Sequence, residues 1–469
     1  MKKWMFWILL LPIPAVAAKE PGTGCHLPHY EHPLRCVAMD VPLDYESPGE
    51  RLSLHVTVAP ALRETARPDP LFVLAGGPGQ PGSDIIFLLD SAFRRVRATR
   101  DIVFVDQRGS GLSGKLTCES LPDLGSASDF EEEQALVDCV RKLGKPYRHY
   151  NTDNAARDLD EVRKALGYRQ VNDWGGSYGT RLGQVYARLF PQNVRSLVLD
   201  SVAAPEQILG VWGQDAQASI DAMFARCDAD QECKKAFPDL RARFQSLLQI
   251  VESGQAQLQF VHPRTAKARS LILTRAAFVE TIRIGLYSTD MTARLPFLIE
   301  QASEGNWRPF LAQMYTQSDW SLATMAYGMT LAVLCAEDIP RLTPDIIAAE
   351  QGKPFLKGMQ IERWPRLCPA VAVPATKYRS PQTIESPVLL LSGALDPVTP
   401  PHRAETARSH MAHSQHLVGD ALAHGISHLG CGPRLLREFL DAPDRPVDGS
   451  CLNEIALPPF MLTAAGPQS

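Results

Sequence analysis

A chain of 469 residues with 45% apolar side chains can build a large core and two or three domains. Its formal charge is −4, or about −6 without the two lysines near the N-terminus. That mild acidity, with no basic stripe interleaved with aromatics, leaves no electrostatic footprint for nucleic acid, and no nucleic-acid partner is expected.

In chain order, Lys2 and Lys3 precede an apolar run over 4–16 and the small-residue exit Ala15-Val16-Ala17-Ala18. This pattern reads as a signal peptide over 1–18. The run is shorter than the roughly 20 residues a membrane span needs, so no membrane association is expected once it is removed. A periplasmic or extracellular location follows. Export gives the ten cysteines a meaning, because an even count in an oxidising compartment argues for disulfides. Nearest-neighbour pairing is expected: Cys25 with Cys36, Cys118 with Cys139, Cys227 with Cys233, Cys335 with Cys368, and Cys431 with Cys451. Sequence leaves other connectivities open. A zinc site on Cys25, His26, His29, His32 and Cys36 is the competing reading of the first pair, but its spacing matches no standard ligand pair. No metal and no cofactor are expected.

Strand-like runs follow at 52–58, 71–75, 102–105, 171–174 and 194–199, with a clear helical pattern over 153–166 that stops at Gly167. Strands alternating with helices predict an α/β fold with a mainly parallel sheet. From about 205 to 380 the pattern turns amphipathic and helical, as at 216–224, 240–251 and 275–286, and an apolar stretch at 325–335 reads as a buried helix. Strand signals resume at 388–391 and 415–418, before a helix around 433–439. The expected organisation is a core in two parts, 19–205 and 381–469, interrupted by a helical cap over 206–380.

Two glycine-rich stretches invite a phosphate-binding reading. Gly109-Ser110-Gly111-Leu112-Ser113-Gly114-Lys115 satisfies G-x-G-x-x-G, but Leu116 replaces the Ser or Thr of a P-loop and no helix begins there. In Gly76-Gly77-Pro78-Gly79 the proline removes an amide donor, while amides remain free at Gly76 and Gly77, which suits an oxyanion hole. The third stretch, Asp173-Trp174-Gly175-Gly176-Ser177-Tyr178-Gly179-Thr180, is a G-x-S-x-G corner between a strand and a helix. Glycines flanking the serine let the backbone turn sharply, so the hydroxyl projects into a cleft and the next amide lies at a helix N-terminus. A serine hydrolase is the leading reading.

Together with Val105-Asp106-Gln107-Arg108-Gly109, Val198-Leu199-Asp200 and Gly393-Ala394-Leu395-Asp396-Pro397-Val398-Thr399-Pro400, these motifs resemble the secreted prolyl and tripeptidyl aminopeptidase family of α/β-hydrolases. They run in the family's order over nearly the whole chain after the leader. One departure is Ala75, where many relatives carry histidine. The resemblance implies an α/β-hydrolase fold with an inserted helical cap, a Ser, Asp, His triad, and cleavage from a free peptide N-terminus.

Residue roles follow the order Ser, Asp, His. Ser177 is the expected nucleophile, Asp396 the orienting acid and His424 the base, with His428 as its rival; His402, His410, His413 and His416 read as surface or packing residues. The amides of Gly77 and Tyr178 are the expected oxyanion hole, with Gly76 as the alternative to Gly77. Asp106 and Arg108 read as a structural turn. An exopeptidase must recognise a free α-ammonium, for which Glu337 and Asp338 are the first candidates and Glu206 a weaker one. The expected partner is a peptide with a free N-terminus. The alternative function is a carboxylesterase acting on small esters, since one scaffold supports both chemistries.

Overall fold

The computed structural model describes residues 22–28, 30–118, 121, 128–378 and 380–467. The expected signal peptide lies outside them. Eleven strands are found among the described residues: β1 Thr23–Cys25, β2 Leu34–Pro42, β3 Arg51–Ala59, β4 Leu71–Leu74, β5 Ile102–Val105, β6 Val171–Gly176, β7 Val194–Asp200, β8 Gln257–Val261, β9 Ala268–Ile272, β10 Val388–Gly393 and β11 Ser414–Gly419. Nine form one sheet in the order β1-β2-β3-β5-β4-β6-β7-β10-β11. The run from β5 to β11 is parallel, and β1, β2 and β3 close one edge in antiparallel pairing.

β4, β5 and the first four residues of β10 read as unbroken apolar runs because both faces are covered. In β4, Leu71 and Val73 face one layer while Phe72 and Leu74 face the other, and β5 and β10 alternate likewise. One layer holds the helices Thr152–Ala165, Tyr178–Leu189 and Pro401–Arg408; the opposite layer holds Arg94–Arg97 and Gly432–Asp441. A parallel sheet with helices on both faces is the expected α/β arrangement.

Between β7 and β10 the chain leaves the sheet and forms a helical cap. Its core is aromatic: Phe278 stacks on Phe310 at 5.0 Å and on Phe244 at 5.9 Å. The hairpin β8–β9 in this segment is absent from the sequence expectations. Its burial is weak and its turn carries no two-residue Gly signal, so the strand period is faint. The helix Tyr327–Glu337, through Met329 and Val333, shares one buried apolar cluster with Val140 and Tyr147, joining cap to core.

All five expected cysteine pairs are bonded. Cys25 and Cys36 are joined to each other across the β1–β2 pair, which leaves no thiolate there for zinc. Cys335–Cys368 staples the helix Tyr327–Glu337 to Trp364–Val371. Among the described residues no single helix is long and apolar enough to cross a membrane.

Candidate active site

Ser177 sits between β6 and the helix Tyr178–Leu189 with φ 55° and ψ −123°, a strained conformation for a residue with a side chain. Close packing forces the flanking glycines. A Cβ on Gly179 would stand 2.0 Å from the Leu74 carbonyl oxygen, and one on Gly175 would stand 2.4 Å from that of Gly179. The elbow helix is thereby pressed onto β4 and β6. The Ser177 amide donates to the Asp200 carbonyl at 3.0 Å, and the Thr180 hydroxyl donates to the Ser177 carbonyl at 2.6 Å. With its main chain fixed from both sides, the half-buried Ser177 carries a hydroxyl that makes no hydrogen bond to another described residue.

The Gly76-Gly77 loop passes directly beside it. A Cβ on Gly76 would lie 3.0 Å from the Ser177 Cβ, and Gly77 has φ 109°, which a residue with a side chain rarely adopts. Gln107 fastens the loop by donating to the Ala75 carbonyl at 3.0 Å. The cap holds it from above, where the Ala326 amide donates to Gly79 O at 3.0 Å and the Thr330 hydroxyl to Pro78 O at 2.6 Å. No acceptor within the described protein is found for the amides of Gly77 and Tyr178. Two uncommitted donors beside a serine hydroxyl are what a developing oxyanion requires.

Asp396 and His424 lie on the loops after β10 and β11. These loops are packed so tightly that a Cβ on Gly393 would be 2.0 Å from Ala423 O. His424 Nδ1 lies 2.8 Å from Asp396 Oδ2. Asp396 also accepts from the amides of Val398 and Thr399, each at 2.9 Å, and from the Thr399 hydroxyl at 2.7 Å. Burial alone would raise its carboxyl, but His424 and these donors outweigh it and hold it below the usual range. Burial likewise works to lower the His424 imidazole, and the Asp396 charge and hydrogen bond, with help from Asp200, lift it above its ordinary value. His428 is exposed, so of the two histidines only His424 meets Asp396.

The remaining expectations divide. Arg108 is buried and grips Asp158 with two hydrogen bonds, at 2.7 and 2.6 Å, while donating to three carbonyls, as a structural residue does. Asp106 accepts from the Ser83 and Leu112 amides at 2.8 Å. A Cβ on Gly111 would be 2.3 Å from its carboxylate, so the phosphate-loop-like glycines serve to wrap the chain around Asp106. His402, His410 and His416 pair with Asp215, Glu206 and Glu405 respectively.

Glu337 and Asp338, the first candidates for the substrate amine, lie where the cap meets the core. Glu337 accepts from the Thr152 amide and hydroxyl, both at 2.7 Å, at the N-terminus of the helix Thr152–Ala165. Asp338 is fully buried against Arg181 and the Leu209 amide. Both carboxylates are consumed by the cap-to-core joint, and Glu206 faces His410 instead. Another carboxylate, Glu280, lies one arginine away from Tyr287, the ring neighbour of His424. Glu280, Arg283 and Tyr287 lie on one stripe of the helix Arg275–Gly285 and its exit, opposite the buried Phe278, Val279, Ile282 and Leu286. Arg283 holds Glu280 at 2.8 and 2.6 Å and the Tyr287 hydroxyl at 2.9 Å. The Tyr287 ring lies 4.7 Å from the His424 ring, and its carbonyl accepts from the His424 amide at 3.0 Å. The Glu280 side chain keeps 42% of its surface exposed. Burial would raise its carboxyl, yet Arg283 and Gln360 overcome this and hold it below the usual range. The i, i+3, i+7 spacing of polar residues opposite an apolar stripe was the sequence signal for this group.

Residues 69–427 match the family described as alpha/beta hydrolase fold. The chain is 33% identical over 246 residues to a tripeptidyl aminopeptidase of Streptomyces coelicolor, a stretch covering 45% of this chain and 46% of that protein. It is 33% identical over 189 residues to the serine protease Hip1 of Mycobacterium tuberculosis, covering 36% of each. It is also 35% identical over 191 residues to carboxylesterase B of the same organism, again covering 36% of each. The matched stretch thus spans about half the length, or less, of these curated relatives. With the elbow, the mostly parallel sheet and the match over 69–427, the chain belongs to the alpha/beta hydrolase fold family.

Proposed function

We propose that this protein is an exported serine exopeptidase of the prolyl or tripeptidyl aminopeptidase type, working through an acyl-enzyme, with its cap taken as 206–380. The observation that carries the reading is the His424–Asp396 contact of 2.8 Å on loops beside the strained Ser177 elbow, with the Gly77 and Tyr178 amides uncommitted. His424 removes the Ser177 proton as the hydroxyl attacks the acyl carbon, and Asp396 stabilises the imidazolium. The two amides receive the oxyanion. His424 then gives the proton to the leaving amine, and water repeats the sequence on the ester. Glu280 is the carboxylate for the substrate α-ammonium, because it is part-exposed and lies one arginine away from the Tyr287–His424 pair.

Peptidase specificity is supported by the names of the relatives from Streptomyces and Mycobacterium, and export by five disulfides. The likeness to carboxylesterase B keeps ester hydrolysis as the second reading. The test is a panel of free and N-acetylated aminoacyl and tripeptidyl anilides beside nitrophenyl esters, with Ser177→Ala as the control. Turnover of free-amine anilides that acetylation and Ser177→Ala both abolish is expected. Equal cleavage of free and acetylated substrates would move the esterase to the front, and an active Ser177→Ala enzyme would end the serine hydrolase reading.

A further inference from the structure

We propose that Asp200, with Ser201, is the positioning element that sets nucleophile and base in register: its main chain holds Ser177 and its carboxylate holds the loop that carries His424. Asp200 ends β7 beside the elbow, with a side chain 1% exposed. Its carbonyl accepts from the Ser177 amide at 3.0 Å. Its carboxylate accepts from the Ile426 amide at 2.9 Å through Oδ1, and from the Ser427 amide at 2.8 Å and the Ser427 hydroxyl through Oδ2. Ser427 in turn accepts from Trp174 Nε1, on the elbow strand itself, at 3.0 Å. The next residue completes the strap: Ser201 holds φ 62°, and its hydroxyl accepts from the Gly425 amide at 2.7 Å.

Three consecutive amides after His424 are therefore bound by two consecutive residues, the first of which also holds the Ser177 amide. Without the carboxylate the buried Ile426 and Ser427 amides would lose their acceptor. A strained non-glycine residue persists only where its surroundings over-determine it, and Ser177 and Ser201 both adopt positive φ at the two ends of this strap. Asp200 also acts through space. The groups facing His424 are Asp396, Asp200, Arg283 and Tyr287; the two carboxylates favour the imidazolium and Arg283 opposes it.

The proposal rests on Ser177, Asp396 and His424 being the catalytic set. The test uses the full exported chain with a nitrophenyl ester and a free-amine anilide, so that no substrate-binding carboxylate is involved in the first. Asp200→Asn is expected to lower kcat on both substrates by about 10- to 100-fold with little change in KM, and to move the acid limb of kcat/KM to lower pH as the charge beside His424 is lost. A merely structural residue would lower the melting temperature without moving that limb. Ser427→Ala, which keeps the carboxylate, is expected to lower kcat by about threefold or more with the limb unmoved, and it decides the matter if Asp200→Asn does not fold. Wild-type kcat and an unmoved limb in folded Asp200→Asn, or wild-type kcat in Ser427→Ala where Asp200→Asn is unfolded, would overturn the proposal. A wild-type protein inert on both substrates would instead overturn the catalytic reading beneath it.

Discussion

Arg181 and Asp338 form a buried ion pair in which Nη1 lies 2.9 and 3.0 Å from the two carboxylate oxygens, with neither side chain more than 5% exposed. Arg181 belongs to the elbow helix and Asp338 to the end of the helix Tyr327–Glu337, so the pair bolts the cap onto the element that carries Ser177. Arg181 further donates to the carbonyls of Ala204 and Gln207, where the chain departs for the cap.

Removing one partner of such a pair strands the other in a dry site. Asp338→Ala should therefore lower unfolding free energy by about 3–5 kcal/mol in denaturant titration. The folded enzyme should keep its KM for free-amine peptides. A raised KM at unchanged stability would restore Asp338 as an amine ligand.

Glu337 makes the stability of the same joint depend on pH. Burial pushes its carboxyl up to about 7 from the ordinary 4.5, against the opposing pull of its Thr152 hydrogen bonds. Between those values the folded chain holds a proton that the unfolded chain has released, so stability falls as pH rises from about 4.5 to about 7. The loss is on the order of 3 kcal/mol. Glu337→Gln should flatten unfolding curves over that window, and an unchanged slope would refute the assignment.

The choice of base can be read from rate profiles. In the proposed mechanism His424 must be neutral to accept the Ser177 proton, so its elevated pKa should place the acid limb of kcat/KM above the ordinary histidine value of 6.5. The stabilising contribution of His424 is fully present below 6.5 and is lost as pH rises through the elevated value. That of Asp396 is present above 3.8 and is lost as pH falls through its depressed value. Activity thus rises as the ion pair weakens. His424→Ala should cut kcat by about three orders of magnitude or more, and His428→Ala by less than twofold. The reverse result would reassign the base.

Glu280→Gln should cut kcat/KM for free-amine peptides by about 10- to 100-fold, as expected for one lost charge-assisted contact, and should affect a simple ester much less. Because Arg283 would lose its partner, the melting temperature must be followed alongside. A parallel loss on ester and peptide would place Glu280 in a structural role.

The staple Cys335–Cys368 closes a loop with a sequence separation of 33. Replacing both cysteines with alanine should lower stability by about 3–4 kcal/mol, the loop-closure entropy returned to the unfolded chain. Denaturant unfolding of the double variant measures it. An unchanged midpoint would show that packing, not the bridge, holds these two helices.

Local rules carried the sequence a long way toward this site. The parallel strands were legible because apolar runs bounded by turns leave few alternatives, and the elbow because a strand, glycines, a serine and a helix follow one another within a dozen residues. Asp396 was legible as an acid after a strand. The five cysteine pairs were likewise near neighbours in sequence. What sequence left open was every assignment that depends on where a side chain of one segment meets another. His424 and His428 are four residues apart, and only the fold shows that one meets Asp396 while the other is exposed. Glu337 and Asp338 look like free acids at a helix end until Thr152 and Arg181, more than 150 residues earlier in the chain, are seen to occupy them. Asp200 gave little signal for the same reason. A carboxylate's role is fixed by the donors that reach it, and here those donors come from distant segments brought together only when the sheet, the loops and the cap have packed.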